Sequence, residues 1–311
     1  GAMIGKGIEI HEEVISRGLL TKDVVLGTSL VDMYAKCGII TKAQEVFDNL
    51  AVKNMVSWST LLAGYAQQGQ VQEVSSCFER MRNEGIFPDD VIFTCILKAF
   101  GSEGWIHKGK SVHAEILSIP GKNLVFRNNF FHGKNSSDIG KNIILGTALV
   151  DMYSNCGELN QARELFLCLT DRDVVTWSAL LSGYAKQGEA KEALECFEKM
   201  QSDCIFPDSV TFISIFKAWA SSGSIVEVQA MHCEAERRDF LQGNLELGSS
   251  LVNLYGKCGF LNKAQEVFDR YVVRDVVLWT SLIAGYAEHC HGKESLRFIK
   301  QMQSECIIPD S

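Results

Sequence analysis

Apolar side chains in this chain recur every three or four residues in short bursts, and each burst stops at a glycine or a proline. Between Val174 and Asp208, Trp177, Leu180, Leu181 and Tyr184 share one helical face, and Gly188 follows as a stop. Ala193, Leu194, Phe197 and Met200 give a second such face before Pro207 and Asp208 close the segment. Two helices of about three turns each, joined by short turns, account for the length. No stretch alternates with period two, so strands are not predicted.

The same pattern is stated almost three times. VLGTSLVDMYAKCG from Val25 returns as ILGTALVDMYSNCG from Ile144 and as ELGSSLVNLYGKCG from Glu246. VSWSTLLAGYAQQG from Val56 returns from Val175 and Val277, and VIFTCILKAF from Val91 returns as VTFISIFKAW from Val210. The cycle from Ile144 to Glu246 is 102 residues, divided into units of 31, 35 and 36. Repeats of this size imply a solenoid, in which each unit hides its apolar face against its neighbours. Of four prolines, Pro88, Pro207 and Pro309 share one repeat phase, placed where a second helix must end. The predicted fold class is therefore all-α, a right-handed superhelical solenoid of helix-turn-helix repeats.

One interruption exists. From His113 to Ile144 there are 31 residues, whereas His11 to Val25 spans 14, a surplus of 17. The extra residues are polar, rich in Gly and Asn, and contain Pro120. They read as a surface loop at a turn. Lys122, Arg127, Phe130 and Phe131 are the residues with which such a loop would touch a partner or RNA.

Composition narrows the picture. Hydrophobic residues make up 46%, enough for burial and too many for a disordered chain. The net charge of −8 argues against a protein held to nucleic acid by a general positive field. No apolar run approaches the roughly 18 residues needed to span a bilayer. Eleven cysteines would suit a disulfide scaffold, but Cys37, Cys156 and Cys258 share one phase, Cys77 and Cys196 another, Cys204 and Cys306 a third. In-phase thiols and an odd total read as packing residues in a reducing compartment. The opening Gly-Ala-Met has the look of an expression scar (residues 1–3), and the pattern then begins in mid-unit. The chain is read as a fragment, with any targeting peptide outside it.

Three motifs invite catalytic or metal readings that their context denies. Gly104 to Ser111 matches G-x-x-x-x-G-K-S, but that loop works between a strand and a helix, and here a helical segment precedes it. His113 with Glu115 and His232 with Glu234 resemble half of a zinc deaminase signature, yet no C-x-x-C exists in the chain. These histidines share the phase of His11 and are read as helix residues. His289, Cys290 and His291 lack the three or four converging ligands of a metal site and replace an inter-helix turn. No catalytic residue, metal or cofactor is expected, and this stretch is not read as an enzyme.

The residues do resemble a known family. Units of 35 that end in Pro-Asp and carry a W-S/T-x-L-[LI]-x-G-Y-A core resemble pentatricopeptide repeats. The alternation of 35, 36 and 31, with DMYAKCG and QEVFD in the short units, is similar to the plant PLS subclass. The resemblance divides the chain into a partial L unit at 4–23, S at 24–54, P at 55–89 and L at 90–142 with the insertion. It continues with S at 143–173, P at 174–208, L at 209–244, S at 245–275 and P at 276–310.

What the resemblance implies is sequence-specific binding of single-stranded RNA, one base per unit, read by the fifth and last residues of each. The fifth and last residues are Thr28 with Asn54, Ser59 with Asp89, Thr94 with Asn142, Thr147 with Asp173 and Ser178 with Asp208. Ile213 with Asn244, Ser249 with Asp275 and Thr280 with Asp310 complete the series. In the family, Ser or Thr with Asp resembles the guanine pair and Thr with Asn the adenine pair, while L units follow the pairing poorly. The implied target is 5′-AGNGGNGG-3′. An aliphatic second residue packs on each base: Val25, Val56, Val91, Ile144, Val175, Val210 and Val277, with Glu246 departing. Lys36, Lys186 and Lys257 would contact phosphates. The subclass further implies a mitochondrial or chloroplast protein that positions a transcript for cytidine-to-uridine editing by an appended or recruited deaminase or other editing-complex proteins. Neither a membrane nor DNA is expected as a partner. Transcript stabilisation, splicing and translation are alternatives within the family, and a tetratricopeptide-like protein-binding scaffold is the alternative outside it.

Overall fold

The computed structural model describes residues 2–20, 23–119, 143–220, 225–305 and 307. Those residues form seventeen α-helices and no strand, and they fall into two compact units, Gly1–Cys156 and Gly157–Ser311. The first unit holds α1 (Ala2–Ser16), α2 (Val24–Lys36), α3 (Ile40–Asp48), α4 (Met55–Gln67), α5 (Val71–Asn83), α6 (Asp90–Ser102), α7 (Ile106–Ser118) and α8 (Ile143–Asn155). The second holds α9 (Leu159–Cys168), α10 (Val174–Gln187), α11 (Ala190–Ser202), α12 (Ser209–Trp219), α13 (Ile225–Arg237), α14 (Leu245–Lys257), α15 (Leu261–Asp269), α16 (Val276–Glu288) and α17 (Gly292–Ser304). The all-α expectation holds in both.

Local chemistry sets the helix ends. Asp23, Asn54, Asp89, Asp173, Asp208, Asn244 and Asp275 cap α2, α4, α6, α10, α12, α14 and α16, each accepting a backbone N–H of the first turn on its side-chain oxygen. Such a cap satisfies a donor that the helix cannot. At the far end of α10, Gly188 takes φ +76°, a left-handed turn that glycine adopts without steric cost. The second helices come in two lengths. α5, α11 and α17 have 13 residues, whereas α3, α9 and α15 have 9, 10 and 9. One α-helical turn thus separates the 31-residue cycles from the 35-residue ones.

Successive opening helices stack: α2 on α4, α4 on α6 and α6 on α8 in the first unit, α10 on α12, α12 on α14 and α14 on α16 in the second. The second helices wedge between them, α3 against α2 and α4, α11 against α10 and α12, α15 against α14 and α16. At each wedge of the short type a tryptophan is buried edge-to-face on a phenylalanine. Phe47–Trp58, Phe166–Trp177 and Phe268–Trp279 have centroids 4.5–4.6 Å apart. Arg80, Arg172 and Arg274 lie over the phenylalanine rings and seal these clusters from water. A second in-phase contact joins His11 to Tyr34, His113 to Tyr153 and His232 to Tyr255, each imidazole Nδ1 being 2.9 Å from the hydroxyl. The histidines of the deaminase-like motif are therefore inter-helix fasteners.

Two expectations need correction. Pro88 and Pro207 do not end the second helices, and Pro309 lies outside the described residues. α5 stops at Asn83 and α11 at Ser202, five residues before Pro88 and Pro207, which are buried one residue ahead of the next cap. The missing N–H of proline is harmless there, and its ring fixes the approach to the cap. The cysteines are not uniformly packing residues either. Cys77 and Cys196 are buried, and burial pushes both thiols up to about 12. Cys37 and Cys204 are exposed, because they occupy turns after α2 and α11. Cys306 lies outside the described residues, as does 120–142 with Lys122, Arg127, Phe130 and Phe131. Lys110 of the phosphate-loop-like motif sits inside α7, and the preceding element is α6. His289 bonds the Gly256 carbonyl at 2.9 Å, and His291 opens α17.

Candidate nucleic-acid interface

The second residue of nearly every opening helix is an aliphatic side chain in solvent. Val25, Val56, Val91 and Ile144 in the first unit, and Val175, Val210 and Val277 in the second, are 53–75% exposed. The next residues along these helices, Ser57, Ile92, Leu145, Thr176, Thr211 and Leu278, are buried and Leu26 is half-buried, so the helices turn their second position away from the core. A scattered exposed valine needs no explanation, but one per hairpin at a fixed place is, within each unit, an unpartnered apolar row. Glu246 breaks the row on α14, where its carboxylate pairs with Lys217 of α12 at 3.6 Å.

Beside that row stand the capping residues. Asn54 and Asp173 are exposed, and Asp89, Asp208, Asn244 and Asp275 half-buried. In each, Oδ1 accepts the cap N–H, at 2.9 Å from Ser57, Ile92 and Thr176, 2.8 Å from Thr211 and Leu278, and 3.1 Å from Leu247. The remaining atom has no partner among the described residues. Capping therefore fixes the polarity of the outward atom. An aspartate offers the acceptor Oδ2, and an asparagine offers the donor Nδ2. Asn142 and Asp310 lie outside the described residues.

The fifth-position side chains are less alike than the repeat pattern implies. Thr280 is exposed, Ser59, Thr94 and Thr147 are half-buried, and Thr28, Ser178, Ser249 and Ile213 are buried. Ser59, Ser249 and Thr280 each donate to a carbonyl of their own helix, at Val56, Leu245 and Val276. The hydroxyls of Thr28 and Thr94 are shut from bulk water with no partner among the described residues. A buried hydroxyl left unbonded costs free energy, so these two groups are held in an unfavourable state. Ser178 instead bonds Thr211 Oγ1 at 2.8 Å. Ile213 is 6% exposed and can read nothing.

Lys36, Lys186 and Lys257 are exposed in the last turns of α2, α10 and α14, where a cation also complements the helix dipole. Lys36 pairs with Asp32 at 2.7 Å. Sequence reasoning missed Lys98 and Lys217. Both are exposed and both follow an exposed valine, Val91 or Val210, by seven residues. Seven residues is two turns, so each lysine shares the valine's face. The signal was the matching KAF and KAW at the ends of the two repeated blocks.

Comparison with known proteins bears on the repeats and the fold. The PPR repeat family profile matches residues 53–102 and 172–221, and the PPR repeat profile matches 147–174, 249–276 and 277–307. A pentatricopeptide repeat-containing protein of Arabidopsis thaliana, named as chloroplastic, is 35% identical over 96% of this chain and 45% of its own length. Another from the same plant, named as mitochondrial, is 31% identical over 98% of this chain and 46% of its own. The chain spans under half the length of these relatives. Among solved structures, the pentatricopeptide repeat protein PPR10 in complex with an 18-nt psaJ RNA element is similar with a TM-score of 0.75. That match covers 99% of this chain and 44% of PPR10, and its 19% identity establishes a shared fold, the helical-repeat solenoid.

Proposed function

This chain belongs to the pentatricopeptide repeat (PPR) family, and we propose that it binds single-stranded RNA with one base per hairpin. The observation that carries the reading is the pairing of an exposed aliphatic with an outward, unbonded cap atom at the start of successive hairpins. An aliphatic can cover the face of a base while the neighbouring cap atom meets its edge. Asp89, Asp173, Asp208 and Asp275 turn an acceptor outward, which suits the N1–H and N2–H groups of guanine. Asn54 turns a donor outward, which suits the N1 acceptor of adenine. Thr94 with Asn142 and Ile213 with Asn244 leave the third and sixth nucleotides unspecified. The target is 5′-AGNGGNGG-3′.

The chain has few cations on the opening helices, and the Lys217–Glu246 pair neutralises one of them. Affinity thus leans on bases more than on phosphates, and its dependence on salt is shallow. We assign the alternation of 31, 35 and 36 residues to the PLS subclass, with complete units running from residue 24 to residue 310. We further assign the array to a chloroplast or mitochondrial protein that presents one cytidine to a deaminase, appended or recruited. The relatives named as chloroplastic and mitochondrial support the compartment.

The test is binding of the 311-residue chain to 5′-AGNGGNGG-3′ and to its pyrimidine counterpart. Preference for the purine strand is expected, and Asp208→Asn should shift the fifth nucleotide from guanine toward adenine while keeping the cap. Equal affinity for both strands would instead favour a protein-binding scaffold.

A further inference from the structure

Thr211 is not among the positions assigned to reading, yet it holds two of them together. It is fully buried at the third position of α12. Its hydroxyl lies 2.8 Å from Asp208 Oδ1 and 2.8 Å from Ser178 Oγ, and its backbone N–H donates to the same Oδ1 at 2.8 Å. The directions of these bonds follow from valence. A carboxylate has no proton, so the Thr211 hydroxyl must donate to Asp208. Its lone pair then accepts from Ser178, and the one proton of Ser178 is committed inward. Ser178 can show only a lone pair to the groove, beside the acceptor Oδ2 of Asp208.

We propose that Thr211, a residue of the following hairpin, is a positioning residue that makes this site an acceptor pair and so sharpens its choice of guanine. The inference rests on the RNA-binding reading and deepens it. Two adjacent acceptors call for two adjacent donors on one base edge. Guanine supplies them in N1–H and N2–H, whereas the Watson–Crick edges of adenine, cytosine and uracil each present a single donor group. Ser59, Thr94 and Ser249 have no such partner, because Ile92, Leu145 and Leu278 occupy the place of Thr211 in the next helix, and Ser59 and Ser249 donate to carbonyls of their own helices instead. Ser57 occupies it after Thr28, but the Ser57 hydroxyl donates to the Asn54 carbonyl, and Thr28 keeps its proton free. The same reading residues are thus held in different hydrogen-bond states according to a neighbour one repeat away.

The experiment measures affinity for 5′-AGNGGNGG-3′ with guanine, inosine or adenine at the fifth nucleotide, for the unaltered chain and for Thr211→Val, Thr211→Ala, Thr211→Ser and Ser178→Ala. The unaltered chain should prefer guanine over adenine roughly tenfold or more, and inosine, lacking the N2 amino group, should fall between. Thr211→Val should lower the fifth-nucleotide ratio several-fold, the remainder being carried by Asp208, and Thr211→Ser should restore it. Discrimination at the second nucleotide, read by Ser59 and Asp89, should not move in any variant. Thr211→Ala adds no bulk and serves if valine disturbs folding, and a ratio of affinities cancels any shared loss of stability. A ratio that Ser178→Ala lowers but neither Thr211→Val nor Thr211→Ala changes would overturn the inference and leave the RNA reading standing. A ratio of one in the unaltered chain, unmoved by Asp208→Asn, would take down both.

Discussion

Gly256 and Gly285 meet backbone to backbone where α14 crosses α16. A methyl group on Gly285 would lie 2.8 Å from the Gly256 Cα, and one on Gly256 would lie 3.0 Å from the Gly285 Cα. No flexible side chain stands there to give way, so either change must push the helices apart. Gly285→Ala should destabilise the chain by about 2 kcal/mol, in the range for overpacked cores. Gly292, at the first position of α17, has open space around it. Gly292→Ala should be neutral or gain up to about 1 kcal/mol from helix propensity. Thermal unfolding of the two variants checks both signs.

Cys204 holds φ +57° in the turn after α11, where Gly85 serves after α5 with φ +77°. An L side chain there costs of the order of 1 kcal/mol that glycine avoids. Cys204→Gly should raise the denaturant midpoint accordingly, and Cys204→Ala should leave it unchanged. A gain from alanine would mean that the thiol, not the backbone, was the source of strain.

The His–Tyr fasteners make stability depend on pH. Burial holds His113 and His232 below the ordinary imidazole value of 6.5, although Glu236, beside Arg270 and Lys263, opposes the shift at His232. The folded state therefore keeps these rings neutral while the unfolded chain protonates near 6.5. Their contribution is complete above that pH, declines as pH falls below it, and levels off once the buried rings also protonate. Chemical denaturation between pH 7.5 and 5 should show this slope. His113→Gln with His232→Gln should flatten it.

Exposure at the second position separates binding from folding. Val175→Asp should weaken RNA binding on the order of tenfold by setting a carboxylate against the strand. Glu246→Val, which completes the aliphatic row, should strengthen it several-fold. Neither should change stability by more than about 0.5 kcal/mol, since Val175 is 57% exposed and the Lys217–Glu246 pair is a surface one. Filter-binding and thermal melts on the same preparations decide whether the two effects part.

Much of this was legible from the residues. The face formed by Trp177, Leu180, Leu181 and Tyr184 is the face that packs, because helical periodicity depends only on local geometry. The capping role of Asp208 and its counterparts was also present in the sequence, in an Asp or Asn just ahead of each apolar run, though that the residues assigned to base reading double as caps was not foreseen. What could not be read was the state of each fifth-position hydroxyl. Ser178 and Ser59 occupy the same place in near-identical blocks, yet one bonds Thr211 and the other its own helix. That difference is set by a residue 33 positions downstream of Ser178, in contact only after the hairpins stack.

Because the outward atom at 54, 89, 173, 208, 244 and 275 belongs to a side chain whose other atom already starts a helix, mutation at these sites is judged twice. Replacement by alanine would forfeit about 1 kcal/mol of helix initiation before any ligand arrives. Asp, Asn, Ser and Thr, with Gly close behind, satisfy the first demand, so evolutionary drift at these sites is confined to a short vocabulary dictated by the fold.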